Sequence, residues 1–434
     1  MQTFLSKIDA VYKFILFGDF FRVIFPCVML RYIRKTRIKQ QCTLNSLKDK
    51  SSITVIFLMQ NTAVWKYDLL YKKMAESKYF KPVVVICPYN VHLYYSRAEC
   101  MNVMKQTEEY AKIKGYNYIS AYDTVQKKWI DVRKTIKPDI VFFTKPYKDT
   151  NSKYYIYKFR DKITCYIPYG TELLNTTLRL TCNLPLHNLL YHYFVETEYN
   201  KNIIKNNSLI KGRNVMVVSS LGSECLMDRT YIPKDVWKIQ NKCKKRIIWS
   251  PHHTIDYMFN FSSFLLYCET MLSFAENYKD EIQFTFKPHP VLKFKLINIW
   301  GKQKTDEYYN RWQEMSNTQI AEGDYNDLFL TSDAMIHDSV SFTVEYLHTC
   351  KPVLFLVRRE NIINEWTDFG LQAFNQHYHA NNEQEIENFI NQVVLAGNDS
   401  KALDRKAFFN EYLYPQDGIM PSEKILKILE NEAK

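Results

Sequence analysis

The stretch "SDAMIHDSVSFTVEYLHTCKPVLFL", residues 332–356, decides the fold class of this chain. A short apolar run, "DAMIH" (333–337), precedes a polar loop, and a helix-like segment then leads through a tight turn to "PVLFLV" (352–357). Continuous apolar runs of this length are typical of parallel strands that helices cover on both faces. The stretch therefore predicts a strand–helix–strand unit of a parallel α/β sheet.

The same alternation extends to both sides of this stretch, in two blocks that the basic run "NKCKKR" (241–246) separates. The predicted strands of the first block are "ITVIFLM" (53–59), "PVVVIC" (82–87), "DIVFFT" (139–144), "TCYIPY" (164–169), "YHYFVE" (191–196) and "VMVVS" (215–219). The second block adds "RIIWS" (246–250) and "IQFTFK" (282–287). Two such blocks predict two doubly wound, Rossmann-like α/β domains that face a cleft, residues 51–245 and 246–434.

Composition limits the class of enzyme. Only ten of the 434 residues are glycine, well below the average usage of roughly 7%. The absence of G-x-G-x-x-G and G-x-x-x-x-G-K-[ST] argues against a typical dinucleotide-binding fold or a P-loop enzyme. A bound phosphate would therefore have to meet helix N-termini, hydroxyls, histidines and cations.

Charge and cysteine usage point to the partners and the compartment. The formal net charge of +12 predicts an anionic partner, such as a phosphorylated substrate, an acidic membrane surface or nucleic acid. The ten cysteines form no C-x-x-C pair, which disfavours zinc-ribbon and thioredoxin readings. With no clear secretory signal, we expect a cytoplasmic setting.

The first 50 residues differ in character from the rest. "FILFGDFFRVIFPCVML" (14–30) is apolar but short for a spanning helix, and Asp19, Arg22 and Pro26 interrupt it. A basic cluster follows: Arg31, Arg34, Lys35, Arg37 and Lys39. Two interpretations stand: a helical segment lying on an anionic membrane face, or a helix docked on the protein body with a solvated charged face.

Three loops of the second block follow predicted strands, where open α/β sheets bind their ligands. The first, "WSPHHTI" (249–255), carries His252 and His253. The second, "FKPHP" (286–290), holds His289 between two prolines, which restrict the backbone on both sides of the ring. We expect these histidines to converge at one edge of the sheet.

The third loop lies within the stretch quoted first. Asp338, Ser339 and Ser341 crowd the expected start of its helix, with Thr343 in the first turn and Glu345 four residues beyond Ser341. N–H groups and hydroxyls at a helix start bind a diphosphate without a metal, and a glutamate one turn in reaches ribose hydroxyls. The alternative is that Ser339 or Ser341 is an ordinary N-cap and Glu345 a solvated charge.

The combination of "FKPHP" with "DYNDLFLTSDAMIHDSVSFTVEYLHTCKPVLFL" (324–356) resembles the C-terminal domain of CDP-glycerol:poly(glycerophosphate) glycerophosphotransferases. Those enzymes build teichoic acids and related capsule polymers of the bacterial cell envelope. The resemblance covers residues 246–357. It implies a GT-B architecture in which the C-terminal domain binds the nucleotide, with no cofactor and no metal.

The resemblance also implies roles for individual residues. His289 matches the catalytic histidine that stabilises or protonates the departing phosphate. On the donor side, the resemblance assigns the diphosphate loop to Asp338, Ser339, Ser341, Thr343 and Glu345. His252, His253 and Lys287 are further donor-side candidates because they follow predicted strands; for the two histidines, a surface or supporting role is the alternative. For Lys287, a solvated lysine at the strand end is the alternative.

One position departs from the family. Its N-terminal domain carries a second histidine before a glycine and a threonine, and the matching stretch here is "IPYGTEL" (167–173). Gly170 and Thr171 are kept on the acceptor side, whereas Tyr169 replaces the histidine. A tyrosine of ordinary pKa, near 10, is a poor general base at neutral pH. Either Tyr169 positions the acceptor while His252 or His253 takes the proton, or the enzyme transfers another group.

These observations predict a transferase that moves a polyol phosphate from a CDP-linked donor to a hydroxyl of an anionic or lipid-linked polysaccharide acceptor. The alternative is a GT-B glycosyltransferase that uses a nucleotide sugar for capsule, O-antigen or other surface polysaccharide. We expect a peripheral enzyme on the inner face of the cell membrane. A nucleic-acid partner is disfavoured because the aromatic residues fall inside strand-like and helical runs. A partner-binding role in polymer assembly stays open if the change at Tyr169 has removed activity.

Overall fold

The computed structural model describes residues 26–89, 96–255 and 261–434. The chain divides into two compact units. Unit 1 comprises Met1–Glu172, Thr176–Glu224 and Pro415–Lys434, and unit 2 comprises Leu173–Asn175 and Cys225–Tyr414. This division differs from the predicted domains, because the chain changes unit at residue 225 rather than 246 and the C-terminal segment returns to unit 1.

Unit 1 is built on a parallel sheet of seven strands in the order β3-β2-β1-β6-β7-β8-β9. The strands of unit 1 are β1 (Ile53–Met59), β2 (Phe80–Ile86), β3 (Tyr118–Ser120), β4 (Tyr122–Asp123), β5 (Lys128–Trp129), β6 (Ile140–Phe143), β7 (Ile163–Tyr166), β8 (His192–Val195) and β9 (Val215–Val217). Strands β4 and β5 form a separate antiparallel pair. The helices are α1 (Pro26–Leu47), α2 (Asp68–Glu76), α3 (Arg97–Ile113), α4 (Val132–Thr135), α5 (Leu178–Cys182), α6 (Pro185–Leu189) and α7 (Glu198–Asn207).

The central strands of unit 1 are buried on both faces, as their continuous apolar sequences predict. Six of the seven residues of β1 are buried. Phe57 of β1 stacks on Phe142 of β6 with ring centroids 4.8 Å apart. The sheet therefore lies in the centre of the unit, and only its strand ends can present polar side chains.

Helix α1 packs against unit 1 along one stripe. The buried positions follow a helical spacing of three and four residues: Met29, Ile33, Thr36, Gln40, Leu44 and Leu47. The Gln40 amide donates to Thr164 Oγ1 and to the Leu189 carbonyl, both at 3.1 Å. The described part of the basic segment is thus a docked helix, and the rest of that prediction, residues 1–25, lies outside the described residues.

Unit 2 contains a parallel sheet of six strands in the order β12-β11-β10-β13-β14-β15. The strands are β10 (Lys245–Ser250), β11 (Ile282–Phe286), β12 (Thr318–Ile320), β13 (Ala334–His337), β14 (Val353–Leu356) and β15 (Tyr378–Ala380). The helices are α8 (Glu224–Met227), α9 (Phe264–Asn277), α10 (Leu292–Trp300), α11 (Lys302–Glu314), α12 (Asn326–Thr331), α13 (Phe342–Glu345), α14 (Asp368–Phe374), α15 (Glu383–Asn388) and α16 (Ala402–Phe408).

Stacked aromatic rings form the core of unit 2 directly behind the strand ends. The Trp249 ring lies 5.0 Å from that of Phe286 and 5.7 Å from that of Phe264. Phe286 in turn stacks on Trp312 at 5.3 Å. Trp249 and Phe286 lie at the carboxyl ends of β10 and β11, so this packing fixes the point from which two of the predicted loops depart.

The last helix, α17 (Pro421–Ala433), packs on unit 1. Ile425, Leu429 and Ala433 are buried at four-residue intervals. The Glu224 carboxylate accepts hydrogen bonds from the backbone N–H of Ser422 at 2.7 Å and from its hydroxyl at 2.5 Å. This segment was predicted to be helical, and its place in the fold follows from these contacts alone.

Within the part of the chain that the structure describes, no helix combines the length and the apolar character needed to cross a membrane.

Candidate functional site

The candidate site lies at the carboxyl edge of the unit 2 sheet. In the order β12-β11-β10-β13-β14-β15 the chain direction across the sheet reverses between β10 and β13. Open α/β sheets bind ligands in the crevice at such a reversal. The three loops singled out from the sequence, after β10, β11 and β13, all start at this edge.

The site brings three imidazole rings together. The ring centroids of His253 and His289 are 4.2 Å apart, those of His252 and His253 are 4.3 Å apart, and those of His252 and His289 are 5.1 Å apart. All three residues are half-buried, so each keeps some access to solvent. The predicted convergence of these loops is therefore present in the structure.

Backbone hydrogen bonds position His289. Its N–H donates to the Pro251 carbonyl at 3.1 Å, which ties the "FKPHP" loop to the loop after β10. Helix α10 begins three residues later, and the Leu292 N–H donates to the His289 carbonyl at 2.8 Å. The ring itself is oriented because the Val291 N–H donates to His289 Nδ1 at 3.2 Å. In a neutral imidazole the proton then resides on Nε2, so Nε2–H is a hydrogen-bond donor.

Burial and neighbouring positive charge keep the rings of His252 and His289 uncharged. Burial, together with the nearby His253, Lys295 and Lys287, lowers the pKa of His289 to about 3. Burial and the same histidine neighbours also hold the pKa of His252 well below its ordinary value. Because cations lower these pKa values and anions raise them, the cluster is suited to a negatively charged ligand.

Lys287 lies beneath the histidines as a buried cation. It is only 6% exposed, which excludes the alternative of a solvated strand-end lysine. Its ammonium donates to the Gly323 carbonyl at 3.1 Å and lies 5.2 Å from the centre of the Tyr325 ring. The positive charge of the site is therefore held by the fold rather than by a mobile surface chain.

Asp338 joins two of the loops. Its carboxylate accepts hydrogen bonds from the backbone N–H groups of His252 and Ser263. Burial raises the pKa of this carboxyl group to about 7, while these two donors act in the opposite direction. Asp338 is 1% exposed, so it positions the histidine loop and does not face a ligand.

The loop after β13 is shaped differently from the predicted helix start. Helix α13 has four residues and continues as a 3₁₀ turn, and neither Ser339 nor Ser341 caps it with a side chain. Ser341 is exposed, whereas Ser339 and Thr343 are buried. The Thr343 hydroxyl donates to the Ser339 carbonyl at 3.2 Å, which leaves Ser341 as the accessible hydroxyl of this loop.

Glu345 is neither solvated nor open to solvent as an acceptor. It is 8% exposed, and the Tyr325 hydroxyl donates a hydrogen bond to its carboxylate. Sequence reasoning did not single out Tyr325, although it lies in the "DYNDLF" stretch that carries the family resemblance. Tyr325 connects the carboxylate of Glu345 with the ammonium of Lys287, so the three residues form one network.

The histidine cluster also has the composition of a metal site. One nitrogen from each of His252, His253 and His289 lies within 4.8 Å of the other two, and three imidazoles are a donor set that zinc accepts. The tautomer of His289 opposes this use, because a metal on Nε2 needs the proton on Nδ1, where the Val291 N–H already donates. The prediction that no metal is required is tested by experiment below.

The predicted acceptor-side residues lie in unit 1, after β7. Tyr169 shares a hydrogen bond with Tyr147, and burial together with Tyr169 raises the pKa of Tyr147 well above its ordinary value. The Thr171 hydroxyl donates to the carboxylate of Glu196 at the end of β8. Tyr169 and Gly170 are half-buried.

A buried carboxyl group next to Tyr169, Gly170 and Thr171 was not identified from the sequence. Burial and the nearby Glu196 carboxylate raise the pKa of Glu172 to about 8, against the opposing effect of a hydrogen bond with Thr181. Glu172, Glu196, Gly170 and Thr171 line a cavity of about 210 Å³. The sequence gives no signal for this pair, because the two glutamates are 24 residues apart and meet only through the pairing of β7 with β8.

Residues 238–431 match the family model of CDP-Glycerol:Poly(glycerophosphate) glycerophosphotransferase. The predicted family resemblance is confirmed for this region. The region contains all three loops of the site, and the match supports a transferase. A comparison with curated proteins finds no match.

Solved structures share the fold. A putative UDP-N-acetylglucosamine 2-epimerase from Listeria monocytogenes is 14% identical, with a TM-score of 0.53 over 88% of this chain and 96% of that chain. The UDP-GlcNAc 2-epimerase from Neisseria meningitidis, bound to UDP-GlcNAc, is 14% identical, with a TM-score of 0.52 over 88% of this chain and 100% of that chain. These similarities confirm the predicted GT-B-type α/β fold with two Rossmann-like domains.

Proposed function

We propose that this protein transfers a polyol phosphate, glycerol phosphate or a close analogue, from a CDP-linked donor to a hydroxyl of a cell-surface polysaccharide or lipid-linked acceptor. The observation that carries the proposal is the cluster of His252, His253 and His289 above a buried Lys287, at the sheet reversal of the family-matched region.

The donor's diphosphate fits this edge on electrostatic grounds. Lys287 and Lys295 both act on His289 as positive charges, and three imidazoles add hydrogen-bonding groups. Cations and imidazole N–H groups are the side chains that bind the oxygens of a diphosphate. Ser341, the accessible hydroxyl of the β13 loop, provides a further donor.

In this mechanism an acceptor hydroxyl attacks the β-phosphorus of the donor. A new O–P bond forms, the bond between the β-phosphorus and the bridging oxygen breaks, and CMP leaves with that oxygen. His289 Nε2–H donates to the oxygen that gains charge. His289 stays neutral in this step, because its Nδ1 accepts the Val291 N–H, and it stabilises the leaving phosphate through the Nε2–H hydrogen bond. We assign the acceptor's hydroxyl proton to the imidazole of His252 or His253. We assign Tyr169 to positioning the acceptor.

A membrane-bound acceptor accords with the outer face of α1. The cations Arg31, Arg34, Lys35 and Lys39 are exposed, and the helix contains no aspartate or glutamate. Val28 and Ile38, 57% and 58% exposed, lie among these charges. A cationic face with exposed apolar side chains binds an anionic bilayer surface. We therefore propose that α1 holds the enzyme at the inner face of the membrane.

The membrane proposal is tested without removing the helix, because its inner stripe packs on unit 1. A variant with Arg31, Arg34, Lys35 and Lys39 changed to glutamine is expected to lose flotation with vesicles of anionic phosphatidylglycerol. The matched control removes the same charge elsewhere, with Lys105, Lys112, Lys127 and Lys128 changed to glutamine. If both variants lose flotation equally, the binding depends on the net charge of the protein and not on α1. If the α1 variant floats as the parent does, the proposal that α1 binds the membrane is wrong.

A nucleotide-sugar glycosyltransferase is the second candidate, and Tyr169 is the observation that favours it. The family histidine is missing at this position, so the acceptor side departs from the glycerophosphotransferase pattern. The donor edge would serve a sugar diphosphate equally well, because its groups address the diphosphate and not the transferred group.

The deciding experiment is a turnover screen with CDP-glycerol, CDP-ribitol and UDP-, GDP- and CMP-linked sugars, in which mass spectrometry identifies the released nucleotide. CMP from CDP-glycerol or CDP-ribitol would support polyol-phosphate transfer. UDP or GDP, or CMP from a CMP-sugar, would move the protein to sugar transfer. No release from any donor, with retained nucleotide binding, would indicate a partner-binding role.

A further inference from the structure

The chain passes from unit 1 to unit 2 directly after the acceptor-side motif, residues 169–172. The motif belongs to unit 1, whereas the next three residues, Leu173–Asn175, belong to unit 2, and unit 1 resumes at Thr176. We call Leu173–Asn175 the anchor segment. Consecutive Cα atoms are about 3.8 Å apart, so whatever fixes the anchor segment in unit 2 also limits where the motif can lie.

The anchor segment is hydrogen-bonded to unit 2 just before helix α14. The Thr367 N–H donates to the Leu173 carbonyl at 2.8 Å, and Leu174 pairs with Trp366 in an antiparallel bridge. The Asn175 side-chain amide donates to the Trp366 carbonyl at 2.7 Å. Leu173 and Leu174 are buried. Each of the three residues of the segment therefore has its own contact with Trp366 or Thr367.

The Trp366 side chain is part of the core of unit 2. Its ring centroid lies 5.3 Å from that of Phe374 in α14 and 6.0 Å from that of Phe355 in β14. The Phe355 ring in turn lies 5.2 Å from that of His337, the last residue of β13. Packed side chains of this kind resist displacement. The anchor segment thus rests on a packed layer that reaches the strand end from which the loop after β13 departs.

Gly370 allows the close approach of the anchor segment to α14. It lies in the first turn of the helix, where its N–H donates to the Thr367 hydroxyl at 3.1 Å. A Cβ atom at this position would lie 2.5 Å from the Leu173 carbonyl oxygen and 2.8 Å from the Trp366 ring. Real Cβ atoms do not come this close to other atoms, and a backbone oxygen cannot rotate away. Any larger residue at position 370 would therefore force the anchor segment and α14 apart.

We propose that the anchor segment positions the acceptor-side motif, and that Gly370 and Asn175 are positioning residues for the transfer reaction. They act on Tyr169 through the chain, because they fix the residues that directly follow the motif. Loss of these contacts weakens acceptor binding and leaves the donor edge as it is. The effect on acceptor binding rests on the proposed function, whereas the attachment of the segment to α14 does not.

The attachment is tested by limited proteolysis of the full chain with chymotrypsin, with the cleavage sites identified by mass spectrometry. In the parent, the bonds after Leu173 and Leu174 should resist cleavage because both residues are buried. Gly370→Ala should raise the cleavage rate there at least ~10-fold, because proteolysis follows the population of the open form. Asp368→Ala, at an exposed position of the same helical turn, is the matched control and should behave as the parent does. An unchanged rate in Gly370→Ala would overturn the proposal.

The effect on the reaction is measured with CDP-glycerol as the donor and a glycerol phosphate oligomer as the acceptor. Asn175→Asp keeps the size of the side chain and removes its N–H donor, so it weakens the attachment without a steric clash. We expect the acceptor KM to rise about 3- to 10-fold, the scale of one hydrogen bond, with the donor KM and the unfolding temperature unchanged. An equal rise of both KM values would show a merely structural role and would overturn the proposal.

A double variant tests whether the segment acts through Tyr169. Asn175→Asp combined with Tyr169→Phe should raise the acceptor KM no more than the stronger of the two single changes, because both act on one group. Fully additive effects would contradict the proposal. A parent that releases no nucleotide from CDP-glycerol would sink the proposed function, whereas faster cleavage in Gly370→Ala would still establish that α14 holds the chain beside the motif.

Discussion

The two sheet edges use the same backbone position for different chemistry. At the reversal in unit 2, compact polar groups converge: three imidazoles above the buried ammonium of Lys287. At the reversal in unit 1, the corresponding crevice is lined by tyrosine rings and by Lys148. The first arrangement concentrates positive charge and hydrogen-bond donors, as binding of a compact anion requires, whereas the second presents mainly aromatic ring surface. The fold thus determines where a ligand binds, and the side chains determine which ligand.

His289 of unit 2 and Glu172 of unit 1 also respond to pH with opposite sign. His289 has a folded pKa below its ordinary value, so the stability it contributes is present above about pH 6.5 and is lost as the pH falls toward 3. Glu172 of unit 1 has a folded pKa above its ordinary value, so its contribution is complete below about pH 4.5 and is lost as the pH rises through 8.

The largest effect is expected from the unit 2 edge. His289→Ala removes the Nε2–H donor and should lower turnover of the donor at least ~10²-fold, because it deletes a group that acts on the leaving phosphate. Steady-state rates of nucleotide release measure this, and a thermal unfolding scan checks that the fold is intact. His379→Ala, on the edge strand β15, is the matched control. Near-normal turnover in His289→Ala would show that His289 is a structural turn residue. The carboxyl edge of the unit 2 sheet would then have no assigned chemical role that distinguishes it from the edge in unit 1.

The pH contrast is tested at Glu172. Relative to the parent, Glu172→Gln should gain unfolding free energy as the pH rises from 5 to 8, reaching on the order of a few kcal/mol and then levelling. The reason is that the folded parent must keep this carboxyl group protonated, whereas glutamine has no proton to lose. Urea unfolding at several pH values gives the difference directly.

The exposed Glu198→Gln is the control for Glu172, because it makes the same substitution at a solvated position of α7. A difference between Glu172→Gln and the parent that does not change with pH would show that Glu172 is ionised in the folded state. The opposite pH dependence expected for Glu172 and His289 would then be wrong.

A smaller effect is expected at Tyr169. Tyr169→Phe deletes the hydroxyl that shares a hydrogen bond with Tyr147 and should raise the acceptor KM about 3- to 10-fold, the scale of one hydrogen bond, with the donor KM unchanged. Tyr118→Phe on β3 serves as the control. A loss confined to kcat would place Tyr169 in the chemical step, and Tyr169→His would then test whether a histidine can work at this position.

No effect is expected from metal removal. Turnover after treatment with EDTA should equal that of untreated protein, because the tautomer of His289 favours hydrogen bonding over coordination. Elemental analysis for zinc, followed by readdition of zinc, completes the measurement. Loss of turnover that zinc restores would assign the histidine cluster to a metal and contradict both the prediction and the proposed role of Nε2–H.

The sequence by itself determined the parallel sheets, because runs rich in β-branched and aromatic residues, such as 53–59 and 282–287, alternate with helical patterns and favour buried strands. It also determined the three loops of unit 2, since parallel strands place their carboxyl ends at one edge. The short edge strands β3, β12 and β15 were missed. They have three residues each, and pairing with a longer neighbour defines them rather than their own pattern.

Tertiary structure decided the properties that depend on contacts between distant residues. Asp338 and Glu345 were predicted as ligand-facing groups, yet both are buried. The Asp338 carboxylate accepts a hydrogen bond from the His252 N–H, and the Glu345 carboxylate accepts one from the Tyr325 hydroxyl. The position of α17 on unit 1 depends on a hydrogen bond to Glu224, some two hundred residues earlier in the chain. Strand periodicity is local and can be read from the sequence, whereas burial, pKa shifts and the lining of a pocket arise only when separate segments pack together.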